Sequence, residues 1–279
     1  MSKKYGDISE EKPVEHKFQE CFDEVEFFGD ILEELDKAEL PEPARRKIKK
    51  CIGVLHCNSR TTKKGEVGSV GTAFLLSPKL ALTVAHNLFN KDTREVYQEI
   101  KFYPGHQGRF EEGCKYEVED FFFPGRFTIE PKPATKYDFA LLKLSKEVPN
   151  INKEDFISLN GEYQKLAKET EKLCIFGYPF PKYEKEEGKS TARPWGMAEK
   201  GRVVEIQGKE GNIFHKVSTL GGHSGSPILR IDQSGGLSII GIHKGGDRLG
   251  AEIANVGRLV TPELIGVLEA GARSMEAGL

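Results

Sequence analysis

Three side chains of this sequence have the types and settings of a nucleophilic hydrolytic site. Ser224 lies in Gly221-Gly222-His223-Ser224-Gly225-Ser226-Pro227. His86 ends the run Thr83-Val84-Ala85-His86, and Asp138 opens Asp138-Phe139-Ala140-Leu141-Leu142. A serine hydroxyl is a weak nucleophile at neutral pH and needs a base within hydrogen-bond reach. That base needs an acceptor to fix its tautomer and stabilise the imidazolium. Ser224 is therefore the expected nucleophile, His86 the general base and then acid, and Asp138 the group that orients His86. Gly222 lets the backbone turn so that its N–H and that of Ser224 converge where a tetrahedral oxyanion would form. Losing one such donor costs about 2.7–4 kcal/mol of transition-state stabilisation. Gly225 gives room beside the nucleophile, and Pro227 ends the turn. Each piece alone is weak, because Gly-x-Ser-Gly, a His after an apolar strand and an Asp before one all occur in ordinary turns and rims. Their conjunction carries the reading.

The elements that must hold these groups are short strands. Runs at Cys51 to His56, Thr72 to Leu76, Leu80 to Val84, Glu99 to Tyr103, Lys115 to Phe123 and Phe139 to Leu144 form a first set. Runs at Leu173 to Gly177, Gly201 to Ile206, Ile213 to Val217, Pro227 to Ile231, Leu237 to Ile242 and Val256 to Leu259 form a second. Many short strands with Gly/Pro-rich turns predict an all-β sandwich or barrel. A polar, partly helical connector from Lys146 to Lys172 separates the sets. Leu264, Val267 and Leu268 after Pro262 predict a closing helix over Thr261 to Met275.

Before the strands, Phe18, Cys21, Phe22, Val25, Phe28, Leu32 and Leu35 recur at intervals of three and four on an acidic background. This predicts a helix, packed on the body or serving as a prosegment or docking helix for a partner. Pro41 and Pro43 end it, and the basic run from Arg45 to Lys50 follows. The expected division is 1–47 for this extension, 48–150 for a first β unit with His86 and Asp138, and 151–279 for connector, second β unit with Ser224, and final helix.

Whole-chain composition narrows the function classes. With 41 basic and 43 acidic side chains in 279 residues, net charge −2, no basic face recommends nucleic acid. No apolar run approaches the ~18 residues of a membrane span. The sequence opens on polar residues without an apolar leader, and its five Cys form no CxxC pair. A reduced, cytoplasmic protein is expected. Seven scattered His at no ligand spacing predict no metal, and nothing calls for a cofactor.

On these motifs the chain resembles the chymotrypsin-fold serine peptidases, and within them the glutamyl endopeptidase branch. Further segments carrying the resemblance are Gly71-Thr72-Ala73-Phe74, Phe176-Gly177-Tyr178-Pro179, Ser-Gly-Ser-Pro at 224–227 and Gly241-Ile242-His243-Lys244-Gly245-Gly246. The His, Asp, Ser order agrees. The resemblance implies two packed six-stranded antiparallel β-barrels with the triad in the cleft between them. It also implies a primary pocket lined by Thr219 and His243, whose hydroxyl and imidazole N–H would hold a substrate carboxylate, Glu before Asp. Lys244, Gly245 and Gly246 would pair with extended substrate.

There are departures. Asn87 stands where secreted relatives usually have Cys. Lys244 replaces a frequent aromatic residue, so the pocket wall is expected to differ and to attract further acidic side chains. His223 is expected to face solvent. Cleavage near Arg45 or Arg46 could activate the chain, or the extension could stay attached. The expected function is a serine endopeptidase acting on peptide or protein. Alternatives are a silent or latent scaffold on the same fold, and an ester hydrolase using the same triad.

Overall fold

The structure is a computed structural model describing residues 40–58, 69–90, 95–105, 115–129, 135–166, 172–179, 195–201, 203–232, 234–249 and 252–277. The periodic run from Phe18 to Leu35 lies outside the described residues. Chain order begins with helix α1 (Glu42–Cys51), which has Pro41 at its N-cap and buries Ala44, Ile48 and Cys51 at three- and four-residue spacing. Its polar side ion-pairs Arg46 and Lys50 with the buried Asp155 at 3.0 and 2.9 Å. The helix thus straddles residue 47 and is part of the packed body.

Strands β1 (Ile52–Asn58), β2 (Ser69–Leu75) and β3 (Leu80–Thr83) follow, then a small hairpin of β4 (Phe89–Asn90) and β5 (Glu95–Val96). With β6 (Glu99–Pro104), β7 (Tyr116–Phe122) and β8 (Ala140–Leu144) they make a closed antiparallel barrel in the order β1-β2-β3-β8-β7-β6. Period-two alternation explains why these strands read as continuous apolar runs. Ala73, Leu75, Ala81, Ala140 and Leu142 fill the barrel interior. Their neighbours Phe74, Leu82 and Leu141 point the other way, into a core shared with Phe176, Tyr178, Leu229 and Ile242 of the second body.

The second body contains β9 (Ser158–Leu159), β10 (Lys172–Gly177), β11 (Trp195–Gly201), β12 (Val203–Gln207), β13 (Asn212–His215), β14 (Pro227–Ile231), β15 (Leu237–Leu249) and β16 (Glu252–Leu259). Their order is β11-β10-β14-β15-β16-β13-β12, with β9 parallel to β15. The all-β, two-body arrangement matches the sequence expectation, with eight strands rather than six in the second sheet. The β15–β16 hairpin outruns the apolar segments that announced it, since its outer half, from the Gly245–Val256 pair outward, mixes Gly, Asp and Arg with its apolar residues.

Helix α2 (Pro262–Ala277) closes the described chain where a helix was expected. The Thr261 hydroxyl accepts the Leu264 N–H at 3.1 Å. Leu264, Leu268, Gly271 and Met275 are its buried face. It leaves the second body and lies on β7 and β8 of the first barrel, where Lys143 Nζ donates to the Met275 carbonyl at 2.9 Å.

Candidate active site

Strands β3 and β8 are antiparallel neighbours with Thr83 opposite Ala140. The residues just past β3 and just before β8 therefore emerge at the same barrel rim. His86 sits there in a 3-10 turn, Ala85–Asn87, and Asp138 follows a second one, Thr135–Tyr137, donating its N–H to the Thr135 carbonyl at 3.0 Å. His86 Nδ1–H donates to Asp138 Oδ2 at 2.8 Å, and the His86 backbone N–H to Oδ1 at 3.0 Å. Asp138 is 1% exposed. Burial alone would push its carboxyl up, but the His86 charge, the two His86 hydrogen bonds and the Lys244 charge together hold it below the ordinary range. The carboxylate only accepts, so the imidazole carries its proton on Nδ1 and presents Nε2 as an acceptor.

Ser224 lies in a turn pinned to both bodies. Gly225 N–H donates to the His243 carbonyl and His243 N–H to the Ser226 carbonyl, both at 2.8 Å, which docks the turn on β15. From the first barrel, Thr72 N–H and Asn87 Nδ2 donate to the Ser224 carbonyl at 2.9 and 2.8 Å. Thr72 Oγ1 donates to the Gly222 carbonyl and accepts the Tyr178 N–H, each at 2.9 Å. Gly225, at φ 90°, packs so closely that a Cβ would overlap the Thr72 carbonyl and the Thr83 hydroxyl. Gly222 has φ 100°. Both positions favour glycine. Among the described residues, neither the Gly222 nor the Ser224 N–H donates to an acceptor. Ser224 Oγ donates to the Lys244 carbonyl at 2.9 Å, and among the described residues no hydrogen bond joins it to His86.

Two of these residues escaped sequence reasoning. Thr72 was noticed only within a family segment, and Asn87 only as the residue that replaces a Cys. Asn87 instead bridges Thr83 Oγ1 (3.0 Å) and the Ser224 carbonyl across the two bodies.

His223 corrects an expectation. It is 1% exposed rather than solvent-facing, and its Nδ1 accepts the Leu220 N–H at 2.8 Å. The turn is wedged between the bodies, so the ring packs against Gly177 and bonds its own backbone in place of water.

On β15, His243 is buried and Gly245 half-buried, and Thr219, in the loop between β13 and the Ser224 turn, is half-buried. His243 Nδ1 lies 3.3 Å from Nε2 of His215, a buried residue of β13 that no motif singled out. The Val217 N–H donates to His215 Nδ1 at 3.3 Å. A backbone N–H can only donate, so His215 carries its proton on Nε2 and passes it to His243 Nδ1 as a hydrogen bond. His243 is then the Nε2–H tautomer, with a donor left over. Burial pushes His215 down to about 3. It also pushes His243 well below the usual range, with smaller contributions from the charges of His215, His223 and His86. Both rings are neutral at neutral pH. The side chain of Lys244 turns to the first barrel, its Nζ 3.3 Å from Thr135 Oγ1. Among the described residues, no group of three or more His, Cys, Asp or Glu could hold a metal ion, and no helix is long and apolar enough to cross a membrane.

The family model of the trypsin-like peptidase domain matches residues 71–242, a span that contains His86, Asp138 and Ser224. Among solved structures, the chain is similar to a Glu endopeptidase in complex with MPD, at 23% identity and TM-score 0.58. That match covers 78% of this chain and 90% of the other. It is also similar to the protease Anisep from Arthrobacter nicotinovorans, at 16% identity and TM-score 0.53, covering 80% and 96%. No curated protein matches the sequence. The structural matches share the fold; with the family model spanning more than half of its length, the chain belongs to the trypsin-like peptidase family.

Proposed function

We propose that the chain is a serine endopeptidase that cleaves after Glu, and less readily after Asp, with Ser224, His86 and Asp138 as its triad. The observation that carries the reaction is the doubly hydrogen-bonded His86–Asp138 pair, fixed opposite the Ser224 turn by Thr72 and Asn87. In turnover Ser224 Oγ leaves the Lys244 carbonyl, gives its proton to His86 Nε2 and attacks the scissile carbonyl carbon. The resulting oxyanion takes the free N–H groups of Gly222 and Ser224. His86 passes the proton to the leaving amine, and water then hydrolyses the acyl-enzyme by the same route in reverse.

For specificity, the neutral His243 is a hydrogen-bond donor with no charge of its own, and Thr219 adds a hydroxyl. Such groups accept a carboxylate and would stay unpaired against an apolar side chain. Gly245 and Gly246 offer backbone for an extended substrate.

The test is digestion of a peptide library by the full-length protein, with Ser224→Ala as control. Cuts after Glu and Asp that vanish in the variant agree with triad and pocket. Ser224-dependent cuts after other residues remove the pocket reading. If nothing is cut, the digest is repeated after removal of residues 1–39, which leaves α1 whole. Activity then marks a latent enzyme, and continued silence overturns the peptidase reading.

A further inference from the structure

Along its pairing with β16, strand β15 is irregular at one place, and that place is Lys244. His243 pairs with Gly257 and Gly245 with Val256, so Lys244 is an extra residue without a partner on β16. A bulge takes a residue out of the ladder and re-aims it. Here it frees both ends of Lys244 for the cleft. Its carbonyl accepts the Ser224 hydroxyl at 2.9 Å, and its ammonium reaches Thr135 Oγ1 at 3.3 Å. Thr135 is buried and begins the 3-10 turn whose hydrogen bond sets the Asp138 backbone.

We propose that Lys244 is a positioning residue for the His86–Asp138 pair: anchored on Thr135, its ammonium places a fixed positive charge behind the triad instead of lining the pocket for an acidic substrate side chain. This rests on the peptidase reading above and assigns that site a control it otherwise lacks. The same charge acts directly on the Asp138 carboxyl and favours its ionised form. Among the described residues, the other titratable or charged groups around the pair are few. His86 itself comes from the turn after β3. Lys136 and Tyr137 come from the turn before Asp138, where Arg126 donates to the Tyr137 hydroxyl at 2.8 Å and the Lys136 ammonium sits 5.1 Å over the ring. His243 belongs to β15, and Arg258 of β16 lies 5.9 Å over Phe139. Among the described residues, Lys244 is the lysine or arginine whose charge acts on Asp138 beside that of His86.

A fixed cation behind the hydrogen-bonded pair makes adding a proton to it harder. Replacing Lys244 by Met keeps the chain length and removes the charge. The expected effect is a rise of the pair's titration midpoint by about half to one pH unit, the size of one screened unit charge removed from a partly wet site. It is read in two ways: by NMR of the low-field proton shared by His86 and Asp138, identified by its loss in His86→Gln, and by the acid limb of kcat/KM against pH. K244Q should behave as K244M does and stands in for it should that variant fail to fold. K244R should restore the wild-type midpoint.

Coincident midpoints in wild type and K244M overturn the proposal, and so does a K244R shift as large as that of K244M. A K244M effect confined to KM for substrates cut after Glu, with an unmoved acid limb, returns Lys244 to the pocket and overturns it too. The NMR reading needs no turnover. A protein that shows the proton shift but cleaves no peptide, with or without residues 1–39, supports this inference while refuting the peptidase reading.

Discussion

Replacing Thr72 by Val removes one hydroxyl and keeps the shape of the side chain, and the structure says what that hydroxyl does. It donates to the Gly222 carbonyl and accepts the Tyr178 N–H, both in a fully buried setting. The variant leaves both groups unpaired, at about 1–3 kcal/mol each. One added buried methyl returns about 0.8 kcal/mol. The net expectation is a loss of about 1–5 kcal/mol. For a chain of this size that lowers Tm by roughly 2–4 °C per kcal/mol. Catalysis should suffer as well, because the freed carbonyl belongs to Gly222, whose own N–H, one peptide earlier, is one of the two expected oxyanion donors. Complete loss of a donor costs about 10²–10³ in kcat, so a loosened one should cost about 10–100-fold. Urea unfolding and steady-state kinetics on one peptide give both numbers. Thr72→Ser keeps the hydroxyl and should retain kcat while losing roughly 1 kcal/mol of packing. The reasoning is refuted if T72V unfolds like the wild type, or if T72S loses as much kcat as T72V.

Other perturbations separate the remaining claims. Ser226 Oγ is buried and, among the described residues, has no hydrogen-bond partner, so Ser226→Ala should leave urea stability within about 0.5 kcal/mol or raise it slightly. His215→Phe deprives His243 Nδ1 of its donor. It should lower the preference for Glu over Gln before the cut by roughly tenfold or more, with turnover of a small neutral ester kept, as measured by kcat/KM ratios. The Asp138 carboxyl is held below the ordinary aspartate value of 3.8, so its contribution to stability is present above that pH and is lost as pH falls through the lower folded value. Acid unfolding should therefore be steeper in the wild type than in Asp138→Asn in the window below pH 3.8, and equal steepness would contradict the assignment.

The sequence made legible whatever rests on local pattern. Apolar runs announced the strands on both sides of the cleft, and three short contexts located His86, Asp138 and Ser224. The structure brings the first two into hydrogen-bond contact. The residues that escaped act at long range. Thr72 and Gly222 meet across 150 sequence positions, and nothing near either one predicts it. His215 looks like any strand histidine until β13, β16 and β15 lie side by side. Burial of His223 depends on the turn being enclosed by the other barrel, which its own Gly-rich setting conceals. The outer half of the β15–β16 hairpin mixes Gly, Asp and Arg with its apolar residues, so no continuous apolar run announced it, nor the bulge at Lys244.

The crossing of α2 bears on when this molecule comes into being. The helix that covers β7 and β8 is translated only after all of the second body, so the first barrel waits for residues 262–277 before its outer coat is whole. Its folding is dominated by non-local pairing, which is slow to complete. A hydrolytic centre shared by the two bodies would then assemble only after residues 262–277 have been made. A helix with no place in the chemistry would thereby act as a timer, sparing the ribosome's neighbourhood a half-built enzyme.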